Sequence, residues 1–425
     1  MMGRPGSAST LRRRAASAAL AAATVVALAG CGGAADDGLP TINLYYAPEE
    51  NLGAVVAACT AQAGGRYRIV HRVLPRGADD QRVQMVRRLA AADTSMDILG
   101  LDVTWTAEFA GARWIRPWDD ASAAEARRGT LAGPLESATY RGALYAAPKN
   151  TNVQLLWYRA DLVTSPPRTW DEMIDTALRL KAQGRTHRVI TMGAQYEGLV
   201  VLFNTLVASA GGQLVPDPGA RVVVDASVER AADALRRLAT AGVTSPSFSN
   251  AMEDAARLEF QSGGGAFQLN WPFVYPAMRE GAPELAAKVR WARFPALDHS
   301  RPSRVTIGGY NLAVSRYSRR PAQAFEAALC LRSAAHQKHS AINDGVPPTI
   351  ESVYADPQMA EAYPMRDTIL AELRDAANRP LTPAYQNVST VLAAALSPPS
   401  RIGPDTVEEL RDAVQAALDS KGVLP

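Results

Sequence analysis

From residue 41 onward the apolar positions change period at regular intervals. TINLYYAP (41–48) alternates and is rich in β-branched and aromatic residues, which predicts a strand. LGAVVAACTAQAG is helix-like, RYRIVHRVLP predicts a second strand, and ADDQRVQMVRRLAAAD is an amphipathic helix with an Asp-rich start. MDILGLDV is a third strand, apolar apart from Gly100 and Asp102 near its end. Strand alternating with helix is the pattern of a parallel α/β sheet. Open sheets of that kind bind ligands beyond the carboxyl ends of their strands. The stretch Pro48 to Asn51, including Glu50, follows such an end, and so do Arg76-Gly77 and Asp102. Position alone makes them candidates.

The second half of the chain keeps switching period. ALYAAPKNTNVQLLWYRADLV (143–163) sets an Ala-Pro and a polar K-N-T-N cluster between two strand-like runs, the form of a hinge crossing. Residues 170 to about 256 are mainly helical, with a turn at Gly211-Gly212 and a short strand RVVVD (221–225). GGGAFQLNWPFVYPAM gives a glycine turn, a strand and an aromatic cluster; VTIGGYNLAVS gives a strand interrupted by Gly308-Gly309. The tail carries RPLTPAYQNVSTVLAAAL and a last helix, DTVEELRDAVQAALDS. No internal repeat and no second long apolar run is evident. About 390 residues after the N-terminal segment exceed one hydrophobic core, so two lobes are expected.

The first thirty-one residues change the picture. Arg4 and Arg12 to Arg14 precede an apolar run that ends Leu28-Ala29-Gly30-Cys31, a secretory signal. The run is too short and too rich in small residues to span a membrane. Its Leu-Ala-Gly-Cys ending resembles the lipobox of bacterial lipoproteins, which implies lipid on Cys31; the alternative is an ordinary A-x-A-type cleavage site. Residues 31–40 make a short tether of small and polar residues. Four arginines and no acidic residue leave with the segment, so the formal charge of +3 falls to −1. A near-neutral chain has no electrostatic case for nucleic acid. Export also makes an even pair of cysteines meaningful: Cys59 and Cys330 are expected to form a disulfide, two buried thiols being the alternative.

Several chemistries lack their motifs. Gly263 to Gly265 have no Gly-Lys-Ser/Thr ending, and no Gly-x-Ser-x-Gly elbow occurs. His336 and His339 lack metalloprotease spacing and no cysteine cluster supports zinc, so neither metal nor cofactor is expected.

Read in order, TINLYYAP, SMDILGLDVTWTAEFAGARWIRPWDD, YAAPKNTNVQLLWYRADLVTSPPRTWDEMID, GAFQLNWPFVY and IGGYNLAVS resemble the solute-binding proteins of carbohydrate ABC importers. The resemblance covers essentially the whole chain after the tether. LPRGADDQRVQMVRRLA, EGLVVLFNTLVASAGG and RPLTPAYQ bring it closest to the mycobacterial trehalose-binding lipoproteins. It implies an α/β, two-lobe, hinged periplasmic-binding-protein fold of type II character, each lobe a sheet flanked by helices. The expected division is signal peptide 1–30, tether 31–40, first lobe 41–147 with 305–345, and second lobe 148–304 with 346–425. It also implies a non-enzymatic, monomeric protein held by lipid on the outer face of the cell membrane. Its partners would be trehalose or a related disaccharide and the permease and ATPase subunits of an importer.

A disaccharide needs paired polar groups for its hydroxyls and a flat aromatic face for its C–H surface. Asp102 suits the carboxylate role, with a helix cap as the alternative. Arg76 could donate to hydroxyls or orient Asp102. Asn150 and Asn152, two apart in an extended segment, share a face. Glu197 starts a helix, where it would either meet sugar or stabilise the helix terminus. Trp271 and Phe273 are the aromatic candidates, and Gly309 with Tyr310 lets the backbone approach a ligand. Arg379 offers a donor fork, with Tyr385 nearby; Glu50 and Asn51 are candidates by their position in the first loop, where PEENL departs from the stretch expected of the family. An exported glycoside hydrolase using Asp102 and Glu197 is the enzyme alternative.

Overall fold

The computed structural model describes residues 38–216 and 221–420. The predicted signal segment, and Cys31 with it, lies outside the described residues. In chain order the strands are β1 (Thr41–Tyr46), β2 (Arg68–Val73), β3 (Ile98–Asp102), the short pair β4 (Thr139–Tyr140) and β5 (Ala143–Leu144), β6 (Ala146–Asn152), β7 (Leu155–Arg159), β8 (Arg188–Ile190), β9 (Gly265–Asn270), β10 (Val289–Ala292) and β11 (Gly308–Val314).

The first sheet has the order β2-β1-β3-β11-β6. β1 runs parallel to β2 and β3, as the alternating pattern predicts, while β11 returns antiparallel between β3 and β6. β1 is an interior strand, flanked on both sides, and Ile42, Leu44, Tyr45 and Tyr46 are all buried. The helix Ala78–Ala90 places Gln81, Met85 and Leu89, four residues apart, against this core. Its acidic first turn (Asp79, Asp80) and basic last turn (Arg87, Arg88) complement the helix dipole.

The second sheet has the order β10-β7-β9-β8. Its core receives Leu199 to Val207 from the helix Glu197–Ser209, which is buried over nearly its whole length. Residues 353–417 pack on the same core. The chain stays in the first sheet through Asn152, which pairs with Gly308, rather than leaving at 147 as expected. Only Val153 and Gln154 separate β6 from β7, so the crossing is short.

The expected strand 221–225 is absent. The N–H of Val222 donates to the Gln415 side chain at 3.1 Å and that of Val223 to the Leu214 carbonyl at 2.8 Å, so no ladder forms. Asp225 instead caps the helix Ala226–Thr240.

Cys59, on the helix Leu52–Gln62, is joined to Cys330, on the helix Pro321–Leu331, with Cα atoms 5.8 Å apart. His336 lies beside the bond and its Nδ1–H donates to the Cys330 carbonyl at 2.8 Å. Among the described residues no helix is long and apolar enough to cross a membrane.

Candidate ligand-binding cleft

Sheet register brings together residues far apart in sequence. On β11, Tyr310 lies opposite Asp102 of β3 on one side and Asn150 of β6 on the other. Lys149 has no partner in the ladder: Tyr310 pairs with Asn150 and Asn311 with Pro148, so Lys149 is the extra residue of a β-bulge. Gly309 makes this packing feasible. It has φ +124°, and a Cβ there would stand 2.5 Å from the Asn150 carbonyl oxygen. Asn150 is buried between strands, donating to the Tyr46 hydroxyl at 2.9 Å and accepting from the Tyr310 N–H at 2.8 Å. The Tyr310 hydroxyl donates to Gln81 at 3.2 Å, and Gln81 donates to the Arg76 carbonyl at 3.2 Å. A chain of hydrogen bonds thus orders one wall, from Tyr46 to Arg76.

A carboxylate–guanidinium–carboxylate group forms the centre. Asp102 ends β3, and its Oδ1 accepts from the Thr104 N–H at 3.0 Å and hydroxyl at 2.7 Å, an Asx turn rather than a helix cap. Buried Arg379 donates from Nη2 to the same Oδ1 at 3.3 Å and to the Ile307 carbonyl at 3.3 Å. Its Nη1 donates to Glu197, the first residue of the helix Glu197–Ser209. Tyr385 and Ser389, from the helix Tyr385–Leu396, also donate to Glu197. Burial pushes the Glu197 carboxyl above its ordinary value despite Arg379, Ser389 and Tyr385. Burial also works against the Arg379 charge, but Tyr385, Asp102 and Glu197 outweigh it and hold the guanidinium firmly protonated.

Trp271 supplies the flat face. It follows β9, its N–H held by the Asn270 side chain at 2.8 Å. Its indole lies over Gly308, where an added Cβ would stand 3.3 Å from the ring. Tyr196 folds over Gly198, and its buried hydroxyl lies beside Glu253.

Arg76, Asp102, Asn152, Glu197, Trp271, Gly309, Tyr310 and Arg379 together line one cleft of about 430 Å³. Other predicted residues lie elsewhere. Asn150 sits behind the wall. Phe273 packs against the second-sheet core instead of the cleft. Glu50 is exposed, and Asn51 gives its N–H (3.2 Å) and its amide (2.8 Å) to Asp344, on the helix Ala334–Asp344. The first loop is thereby tied down rather than turned toward the cleft. Neighbouring Glu49 is tied as well: it accepts from Lys149 at 2.7 Å and from Ser340 at 2.7 Å, and the two charged side chains are only 7% and 3% exposed.

Tyr196, Met252, Glu253 and Asp254 also line the cleft and were not singled out by sequence. Glu253 and Asp254 open the helix Glu253–Gln261, where acidic residues are ordinary; the only available signal was their place just before the glycine turn. A larger hollow of about 770 Å³ lies beside β4 and β5, lined by Leu135, Tyr140, Leu381 and Pro383. Glu136 and Arg141 also border it, but none of the predicted ligand residues does.

The chain matches the bacterial extracellular solute-binding protein family over residues 73–338. It belongs to that family. Among relatives of this solute-binding protein is the "Probable ABC transporter-binding protein" of Deinococcus radiodurans, 28% identical over 80% of this chain and 83% of that one. Maltose-bound MalE3 of T. maritima superposes with TM-score 0.78 at 28% identity, covering 89% of this chain and 99% of that one. The GacH receptor of Streptomyces glaucescens, solved unliganded and with acarbose, superposes at 0.74 with 20% identity, covering 90% and 99%. The solute-binding protein accordingly has the two-lobe periplasmic-binding fold, two lobes each built on a sheet flanked by helices.

Proposed function

We propose that this protein captures a disaccharide, trehalose or a related α-glucoside, outside the membrane and delivers it to the permease and ATPase of an ABC importer. The observation that carries the reading is the cleft itself, where Arg379 joins Asp102 to Glu197 beside the Trp271 indole. Among the described residues Asp102 Oδ2 has no donor, so it stands ready to accept a ring hydroxyl, and the indole offers a face for ring C–H groups. The ABC partners are supported by the Deinococcus relative, and a sugar ligand by MalE3. Trehalose among sugars rests on the sequence motifs.

In this reading the ligand favours a closed arrangement by hinge motion, and that arrangement is the one the permease accepts. Lipid on Cys31 keeps a monomeric protein beside its permease, and a disulfide between Cys59 and Cys330 suits an oxidising compartment. The family of binding proteins favours capture over the hydrolase alternative. Isothermal titration against trehalose, maltose and sucrose tests the proposal. Saturable binding of trehalose in preference to the other two is expected; no heat from any of the three, or cleavage of trehalose during incubation, would overturn it.

A further inference from the structure

Four carboxylates and two guanidinium groups line the cleft: Asp102, Glu197, Glu253 and Asp254 against Arg76 and Arg379. Asp102 and Glu197 share Arg379. Asp254 has Arg257 at 3.3 Å, one turn along its helix. Glu253 is the exception. Among the described residues it makes no ion pair, and its neighbours are the uncharged donors Tyr196 and Trp271. The Tyr196 hydroxyl beside it is buried and faces the Glu253 carboxylate. Among the described residues, a carboxylate with neutral donors but no cation therefore stands in the wall of the cleft.

We infer that the cleft prefers a disaccharide bearing a protonated amino group to its neutral parent, and the neutral parent to a phosphorylated form. The inference rests on the sugar-binding reading above and names the charge class of that ligand. An ammonium brings three donors and one positive charge. It completes the partners of Glu253 with a charge-assisted hydrogen bond, and Tyr196 retains an acceptor for a neighbouring sugar hydroxyl. A hydroxyl in the same place supplies the hydrogen bond without the charge. A phosphate adds negative charge to a wall already short of cations, and such juxtaposition is how a site rejects a close analogue. Burial pushes the Glu253 carboxyl above its ordinary value, and an entering cation favours its ionised form.

Calorimetric titration at neutral pH with trehalose, 2-amino-2-deoxytrehalose, 6-amino-6-deoxytrehalose and trehalose 6-phosphate tests it. At least one amino probe is expected to bind about tenfold tighter than trehalose, with the margin shrinking in 0.5 M salt, and the phosphate about tenfold weaker. In Glu253→Gln the ratio of amino probe to trehalose falls to about one, while Glu253→Asp keeps a preference. Amino probes no tighter than trehalose in the unaltered protein, or a preference that survives Glu253→Gln, overturn the inference. Failure of trehalose, maltose and sucrose alike would strike the sugar-binding reading itself, a result distinct from loss of the amino preference alone.

Discussion

Glu49 and Glu197 are both glutamates against a buried cation, yet their carboxyls move in opposite directions. Burial pushes Glu49 up, but Lys149, aided by Ser340 and Tyr46, more than reverses this and holds it below its ordinary value. Glu197 shares Arg379 with Asp102, and burial wins. The first pair lies within the first lobe, one anion to one cation, behind the Lys149 bulge and under the helix Ala334–Asp344. The second is two anions on one cation at the wall of a cleft. A saturated buried pair organises a fold; an undersupplied one leaves acceptors for something that arrives later.

The sharpest way to break this contrast is to remove each cation. Lys149→Met strands Glu49 in the interior and should cost about 3–5 kcal/mol in urea unfolding, with most of it recovered in the Glu49→Gln/Lys149→Met double variant. Ligand affinity of the folded protein should stay within about threefold, because the pair makes no part of the cleft. Unaltered unfolding of the single variant would deny Glu49 and Lys149 their structural role. Arg379→Ala should weaken disaccharide binding by about 100-fold or more, and Arg379→Lys should restore little of it, because a single ammonium cannot span Asp102 and Glu197. Full affinity in the lysine variant would show that the fork is not used. Trp271→Ala should lower affinity by about tenfold and remove most of the fluorescence response to ligand.

A smaller effect should appear in the pH dependence. Because Glu49 is depressed in the folded state, its stabilisation is present above the unfolded carboxylate value and disappears as pH falls through the lower folded one. Glu197 works the other way: its contribution is present below the unfolded value and lost as pH rises through the raised folded one. Each pKa unit is worth about 1.4 kcal/mol. Unfolding free energies from pH 3 to 8 should therefore flatten on the acid side in Glu49→Gln/Lys149→Met and on the higher-pH side in Glu197→Gln. The smallest effect belongs to exposed Glu50: Glu50→Ala should leave both stability and affinity unchanged within measurement, and a tenfold loss of affinity would return the first loop to the site.

Local order was readable where the hydrophobic period is clean. The strands at 41, 68 and 98 and the helix at 78 stand within a few residues of where the pattern sets them, since their apolar faces have one place to go. RVVVD misled because β-branched residues satisfy a strand only when a neighbour offers a ladder, and here a glutamine side chain intervenes. At the site, Asp102, Glu197, Trp271 and Arg379 were legible as residue types in ordered motifs. Their junction was not: Arg379 meets Glu197 across 182 positions and Asp102 across 277. Nor was the fixing of Asn51 by Asp344, which depends on a helix 293 residues away. Glu253 stayed hidden because an acidic residue opening a helix has an ordinary explanation.

The Cys59–Cys330 bond joins positions 271 apart in sequence into a covalent ring, while both its ends sit in the lobe of the first sheet. Everything from β2 to β11, including the whole of the second sheet, is inside that ring. A protease that cuts any one loop within it therefore produces two pieces that remain one molecule. The bond does this without tying one lobe to the other. In an oxidising compartment, the fragments of a chain cut once inside the ring stay joined until the bond is reduced.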